Sequence, residues 1–298
     1  MTFVATLISN PRDPAVTDDL LAEARRIAQT RHPTRVLHDA VAAEFLFDAG
    51  PDAAGVRREM RERFAASPID IVIQPAAHRR KRLFLADMDS TMIEQECIDE
   101  LAAFVGLKPE VAAITERAMR GEIAFEPALR ERVALLKDLP VGVVDEIIAR
   151  RITLTPGGRT LVQTMRAHGA YVGLVSGGFT LFTGPIAQMI GFDEHRANRL
   201  VVAGERLTGA VEEPILGREA KLATLIELRE RLGLAPAETL AVGDGANDLA
   251  MLGEAGLGVA YRAKPAVAAA AHARIDHGDL TALLYAQGYA ASEFVEAF

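Results

Sequence analysis

One cysteine, Cys97, is all that 298 residues contain. No internal disulfide can form, which agrees with a reducing compartment. Long apolar runs are missing too, and none approaches the roughly 20 residues of a membrane span. The opening Met1-Thr2-Phe3 lacks the basic-then-apolar layout of a secretory signal. Basic charge is in deficit, with 33 Lys and Arg against 41 Asp and Glu and a net charge of −8, so no nucleic acid is expected as a partner. The only basic cluster, His78-Arg79-Arg80-Lys81-Arg82, reads as a solvated linker. His32, His38, His78, His168, His195, His272 and His277 are scattered, with no two at a metal-ligand spacing. What remains is a profile half hydrophobic and one quarter charged, ordinary for a globular protein in the cytoplasm. Its length has room for one large domain and one small one.

Against that background, Asp87-Met88-Asp89-Ser90-Thr91 stands out. It follows the apolar run Leu83-Phe84-Leu85-Ala86, which reads as a short buried strand. Two carboxylates at the end of such a strand are costly to desolvate, and they need a metal, a substrate or hydrogen bonds to compensate them. The crevice outside the carboxyl ends of strands is where ligands bind in open α/β sheets. A helix-capping turn at Ser90 or Thr91 is the plainer alternative.

Residues 1–76 predict strand Phe3–Ile8, a helix over Asp19–Thr30, strands at Arg35–Leu37 and Glu44–Phe47, a helix over Ala53–Ala65 and strand Ile69–Ile73. That βαββαβ order is a ferredoxin-like α+β unit, similar in pattern to an ACT-type module. No Gly-rich ligand loop marks an effector site, so packing or homodimerisation is the expected role. Residues 77–82 form the linker, and from 83 to 298 strands alternate with helices, as in a parallel sheet with crossover helices. The expected strands are Leu83–Ala86, Ala170–Val175, Thr239–Val242, Leu257–Ala260 and a weak one near Arg274–Ile275. A helical stretch over about 93–151 interrupts the alternation. Leu200–Val211, with Gly204 and Gly209 between apolar runs, reads as a β-hairpin.

Three further stretches carry chemistry. Ser176-Gly177-Gly178 closes the second strand, where glycine lets backbone approach an anion and the next helix presents free N–H groups. An ordinary strand-to-helix turn would look the same. Lys221 lies at the start of a helix over Ala220–Leu232, a place where lysine is usually solvated. Gly243-Asp244-Gly245-Ala246-Asn247-Asp248 follows a buried strand with hard oxygen donors suited to Mg²⁺. The spacing lacks the alternating acids and distal glutamate of an EF-hand.

Asp-x-Asp-x-Thr, Ser, Lys and Gly-Asp-x-x-x-Asp, in this order, resemble the haloacid dehalogenase (HAD) superfamily. The resemblance implies a doubly wound parallel sheet with a helical cap over about 93–151. It implies Asp87 as nucleophile, Asp89 as general acid and base, and Lys221 neutralising charge on the transferring phosphoryl group. It also implies Mg²⁺ held by Asp87, Asp244 and the Asp89 carbonyl, with Asp248 acting through hydrogen bonds or metal-bound water. Within the superfamily, Glu94-Gln95-Glu96-Cys97-Ile98-Asp99-Glu100, Ala118-Met119-Arg120-Gly121, Phe125 and the run Leu129–Lys137 resemble the phosphoserine phosphatases.

That closer resemblance implies O-phospho-L-serine as the small-molecule substrate, in the last step of serine biosynthesis. Glu96 would pair with its ammonium and Arg132 with its carboxylate. Ser176, the Gly177 amide, Lys221 and Asn247 would hold phosphate, and Met119 and Phe125 would form the apolar wall. Cys97 reads as a small apolar filler. A phosphatase for another small ester such as phosphohomoserine, and a phospho-acceptor signalling protein, are the alternatives. Serine sensing by the N-terminal unit is a third.

Overall fold

The computed structural model describes residues 1–48, 52–119 and 122–295, with backbone alone at Met119. Its first elements are β1 (Thr2–Ser9), α1 (Asp18–Ile27), β2 (Arg35–His38), β3 (Ala42–Asp48), α2 (Ala53–Arg63) and β4 (Ile69–Pro75). They build an antiparallel sheet in the order β2-β3-β1-β4, the ferredoxin-like arrangement. Helix α1 starts where Thr17 accepts the Leu20 N–H. It has Asp18 and Asp19 in its first turn and Arg25 and Arg26 in its last, so cap and charge both favour it. Its Leu21, Ala24 and Ile27 pack with Met60 of α2 on one face of the sheet.

The other face of that sheet is covered as well. Ile8, Ala42 and Val72 join the core of the rest of the chain. This is why β1 is buried from Val4 through Ser9 instead of at alternate positions. Asp70 pins the contact. Its buried carboxylate accepts the N–H groups of Asp276 and Gly278 at 2.7 Å and of His277 at 3.2 Å. Burial raises this carboxyl and the three amides oppose the rise. An asparagine would offer one acceptor oxygen and turn an NH₂ toward the amides. Asp70→Asn is therefore expected to lower the unfolding free energy by about 1–3 kcal/mol, read by urea denaturation.

In the basic run that composition suggests is a solvated linker, His78, Arg80 and Arg82 are exposed while Arg79 and Lys81 are tied into the fold. Arg79 grips Glu44 at 2.7 and 2.8 Å. Arg80 lies over the Tyr289 ring at 4.1 Å and pairs with Glu293 at 2.6 Å. Lys81, 6% exposed, donates to the Ala237 carbonyl at 2.7 Å, and burial pulls its ammonium down to about 8. These partners lie 35, 213 and 156 positions away, beyond any local reading of charge.

The larger part opens with β5 (Leu83–Ala86), whose four residues are all buried. Helices α3 (Cys97–Phe104), α4 (Lys108–Met119), α5 (Phe125–Ala134) and α6 (Val143–Arg151) follow as the cap. Next come α7 (Gly158–Ala167), β6 (Tyr171–Phe179), α8 (Thr180–Ile190), β7 (Glu194–Asn198) and the hairpin β8 (Leu200–Ala203)–β9 (Arg206–Val211). The chain continues through α9 (Arg218–Arg231), β10 (Thr239–Gly243), α10 (Leu249–Glu254), β11 (Leu257–Tyr261), α11 (Pro265–Ala270), β12 (Ala273–Ile275) and α12 (Ala282–Ala286). The strands pair in parallel in the order β12-β11-β10-β5-β6-β7.

Two local expectations need correction. β7, Glu-His-Arg-Ala-Asn, was not expected because it is a polar edge strand on which only Asn198 is buried. β6 runs on through Gly177 and Gly178 to Phe179 instead of ending at Val175, with its ladder to β7 interrupted between Val175 and Phe179. No described helix is long and apolar enough to cross a membrane.

Candidate active site

β5 is the hub because it lies between β10 and β6. Ala86 is in register with Val242 on one side and Leu174 on the other. The residues just beyond these positions share one crevice at the carboxyl ends of the strands, which brings together Asp87, Asp244 and Ser176.

Lys221 stands at the centre of the acidic group. Reaching in from α9, it is fully buried, with Nζ 2.7 Å from Asp87 Oδ1 and 2.6 Å from Asp248 Oδ1. Burial alone would lower this ammonium, but the two carboxylates outweigh that and raise it. Asp87 Oδ1 also accepts the Met88 N–H at 2.8 Å. Asp248 Oδ2 accepts the Gly245 N–H at 3.0 Å, so protein donors occupy both oxygens of Asp248. Burial and the Asp248 charge push Asp87 well above the ordinary carboxylate range and raise Asp244 too.

Asp87, Asp244 and Asp248 each offer a carboxylate oxygen within 4.8 Å of the others. Three buried or half-buried carboxylates around one ammonium leave an excess of negative charge. Hard oxygen donors in that state suit a divalent cation such as Mg²⁺.

Asp89 faces the same crevice from the other side. Its Oδ1 accepts the Cys97 N–H at 2.9 Å and its Oδ2 accepts the Ser176 hydroxyl at 3.1 Å. Burial raises its carboxyl, while Cys97 and Ser176 hold it back. Ser176 in turn accepts the Gly178 N–H at 2.8 Å. A Cβ at Gly178 would sit 2.8 Å from Asp89 Oδ2 and 3.0 Å from Ser176 Oγ, so any side chain there would press on both. The ladder to β7 is interrupted around Gly177. Asn247 folds its Oδ1 over Gly245 at the rim.

The cap closes over this crevice on two linkers that pair at Ile93 and Leu154. Gln95 clasps them, accepting the Thr153 N–H at 2.8 Å and donating to the Thr153 hydroxyl at 3.3 Å. A second tie joins the cap to the hairpin, where Asp138 N–H donates to Leu207 at 2.8 Å and Arg130 pairs with Glu213 at 2.6 Å. The ring of Phe125, at the start of α5, comes within 3.6 Å of a Cβ position at Gly177 and 3.5 Å of one at Gly217. The Met119 side chain, Arg120 and Gly121 lie outside the described residues.

Glu96 and Arg132 are the cap's charged contribution. Glu96 precedes α3 and accepts the Ser90 hydroxyl at 2.7 Å on Oε1. Its tip reaches solvent, yet the surrounding walls and the Asp89 charge push its carboxyl up to about 7. Arg132 is half-buried. It donates from Nε to the Ala128 carbonyl at 3.2 Å and from Nη1 to the Thr115 hydroxyl at 3.4 Å. It pairs with no carboxylate among the described residues. Burial lowers it, and the charges of Asp99 and Glu96 oppose that fall.

The sequence reading missed Asn198 and Thr91. Asn198 donates to the Gly177 carbonyl at 2.8 Å and to Leu216 at 3.1 Å, and it accepts the Leu216 N–H at 2.6 Å. It thereby locks the glycine strand to the turn before Lys221. Nothing in its polar surroundings signals this. Thr91 donates to Asp244 Oδ1 at 3.2 Å, and its place in the first acidic motif is the cue that was available.

Residues 84–253 match the profile of the haloacid dehalogenase-like hydrolases. A phosphoserine phosphatase from Archaeoglobus fulgidus is 44% identical over 246 residues, 82% of this chain and 71% of that protein. The crystal structure of a HAD family hydrolase from Salmonella enterica serovar Typhi superposes with a TM-score of 0.86 at 29% identity, covering 98% of this chain and 99% of that one. A phospho-aspartyl intermediate analogue of phosphoserine phosphatase superposes at 0.64 with 42% identity, covering 69% of this chain and 98% of that one.

Proposed function

From the premise that this chain belongs to the phosphoserine phosphatases among the haloacid dehalogenase-like hydrolases, we propose that it hydrolyses O-phospho-L-serine to L-serine and phosphate with Asp87 as nucleophile. The observation that carries the substrate is the state of Glu96 and Arg132. One is a carboxylate whose donor is a neutral hydroxyl, the other a half-buried guanidinium without an anion among the described residues. A zwitterion supplies both missing counter-ions at once, the ammonium to Glu96 and the carboxylate to the arginine fork.

In the first step an Asp87 oxygen attacks phosphorus while the bond from phosphorus to the serine oxygen breaks. Asp89 gives its proton to that oxygen, and burial supports the neutral acid that this requires. In the second step Asp89 takes a proton from water as the water oxygen attacks phosphorus. The bond to Asp87 breaks and phosphate leaves. Lys221, Ser176, the Gly177 amide and Asn247 hold the phosphoryl oxygens, and Phe125 keeps bulk water from the crevice. Asp87, Asp244 and the Asp89 carbonyl would hold Mg²⁺, with Asp248 bracing the site through Lys221 and Gly245; the ion would supply charge neutralisation at the phosphoryl oxygens.

Phosphate release from O-phospho-L-serine, O-phosphothreonine, phosphoethanolamine and glycerol phosphate tests the reading. Strong preference for the first supports it, and equal turnover of all four removes the substrate assignment. Within that panel, Arg132→Ala is expected to raise KM for O-phospho-L-serine about 10–100-fold with a smaller change in kcat. KM for phosphoethanolamine, which has no carboxylate, should scarcely move.

A further inference from the structure

We infer that Ser90 is a positioning residue for ammonium recognition, acting through Glu96; this rests on the substrate reading above. Ser90 has φ +55, left-handed backbone that a non-glycine residue adopts at a cost. Glycine would relieve that cost, so the hydroxyl is the reason to look for a role. It donates to Glu96 Oε1 at 2.7 Å, the only hydrogen bond found on that carboxylate among the described residues. The backbone on either side is fixed. Ser90 N–H donates to the Gln95 carbonyl at 3.2 Å, and the N–H groups of Thr91, Met92 and Ile93 converge on the Met88 carbonyl at 3.2, 2.8 and 3.1 Å.

Two consequences follow. The bond crosses the hinge, since Ser90 belongs to the catalytic turn and Glu96 to the start of the cap, so it sets the carboxylate relative to Asp87 and Asp89. It also engages Oε1 alone, which leaves Oε2 to meet the ammonium. Its donor is a neutral hydroxyl, so no cation competes with the substrate ammonium for this carboxyl group, as a paired lysine or arginine would.

The test compares O-phospho-L-serine with 3-phosphoglycerate, which carries a hydroxyl in place of the ammonium. Ser90→Gly removes the hydroxyl and relaxes the backbone, and Ser90→Ala removes the hydroxyl alone. Both are expected to raise KM for O-phospho-L-serine about tenfold, with kcat held within about twofold and KM for 3-phosphoglycerate nearly unchanged. In a Glu96→Ala background the same substitutions should add little, because their route is gone. Equal losses on both substrates, or a full loss that persists without Glu96, would overturn the positioning role and leave the phosphatase reading intact. Unmodified enzyme that turns over both esters alike would overturn the substrate reading, and this inference with it.

Discussion

Asp87→Asn is expected to lose at least ~10⁴-fold in kcat while remaining folded. The amide has no oxygen basic enough to form the ester with phosphorus, and nothing nearby substitutes for it. Asp89 is held by Cys97 and Ser176, and Asp248 by Lys221 and Gly245. The fold should tolerate the change because the variant removes one negative charge from a buried group that has too many. Phosphate release and a thermal melt on the same preparation separate the two effects. Acid-quenched unmodified enzyme should carry a phosphoryl group on the peptide containing Asp87, and the variant should carry none. Residual activity within about tenfold of the unmodified enzyme would place the nucleophile elsewhere.

Lys221→Met is expected to be the most destabilising single change in the crevice. It deletes the one ammonium bonded to both Asp87 and Asp248, and leaves their carboxylates buried without it. Removing one partner of a buried ion pair costs about 3–5 kcal/mol, because the remaining charge has no water to return to. Urea denaturation in the presence of a chelator would read this directly. Asp248→Asn should restore part of the loss in the double variant, since the two changes act on one network. Stability equal to that of the unmodified chain would mean that water, not lysine, solvates these carboxylates. Turnover should fall as well, because the proposed mechanism has the same ammonium hold the transferring phosphoryl group.

Much of this was legible because some segments announce their surroundings. Leu83–Ala86 is apolar at every position and is buried at every position, so the carboxylates after it had to lie at the end of a core strand. The ferredoxin-like unit was readable because its turns and amphipathic helices are local signals. What stayed hidden depends on partners distant in sequence. Lys221 looks like any lysine in the first turn of a helix, until strands more than a hundred positions away deliver Asp87 to it. Glu194 and Arg196 make β7 look like a surface loop, yet they pair with each other at 2.8 Å while Asn198 turns inward. The contacts of Arg79 and Lys81 stayed hidden for the same reason, as charge type says nothing about whether a matching acceptor is folded against it.

The doubly covered N-terminal sheet bears on how such an architecture can be inherited. Its outer wall comes from α1 and α2, but residues 276–287 bond to its other side. The turn at 276–278 closes on Asp70, and the Ala286 carbonyl accepts from Gln74 at 2.7 Å. Gln287 accepts the Lys81 N–H at 3.0 Å on its side chain. Asp70, Gln74 and Lys81 thus all bond to residues 276–287. Recombination that exchanged the first eighty residues for another ferredoxin-like unit would have to bring a matching tail, or leave a wall of aliphatic side chains facing water.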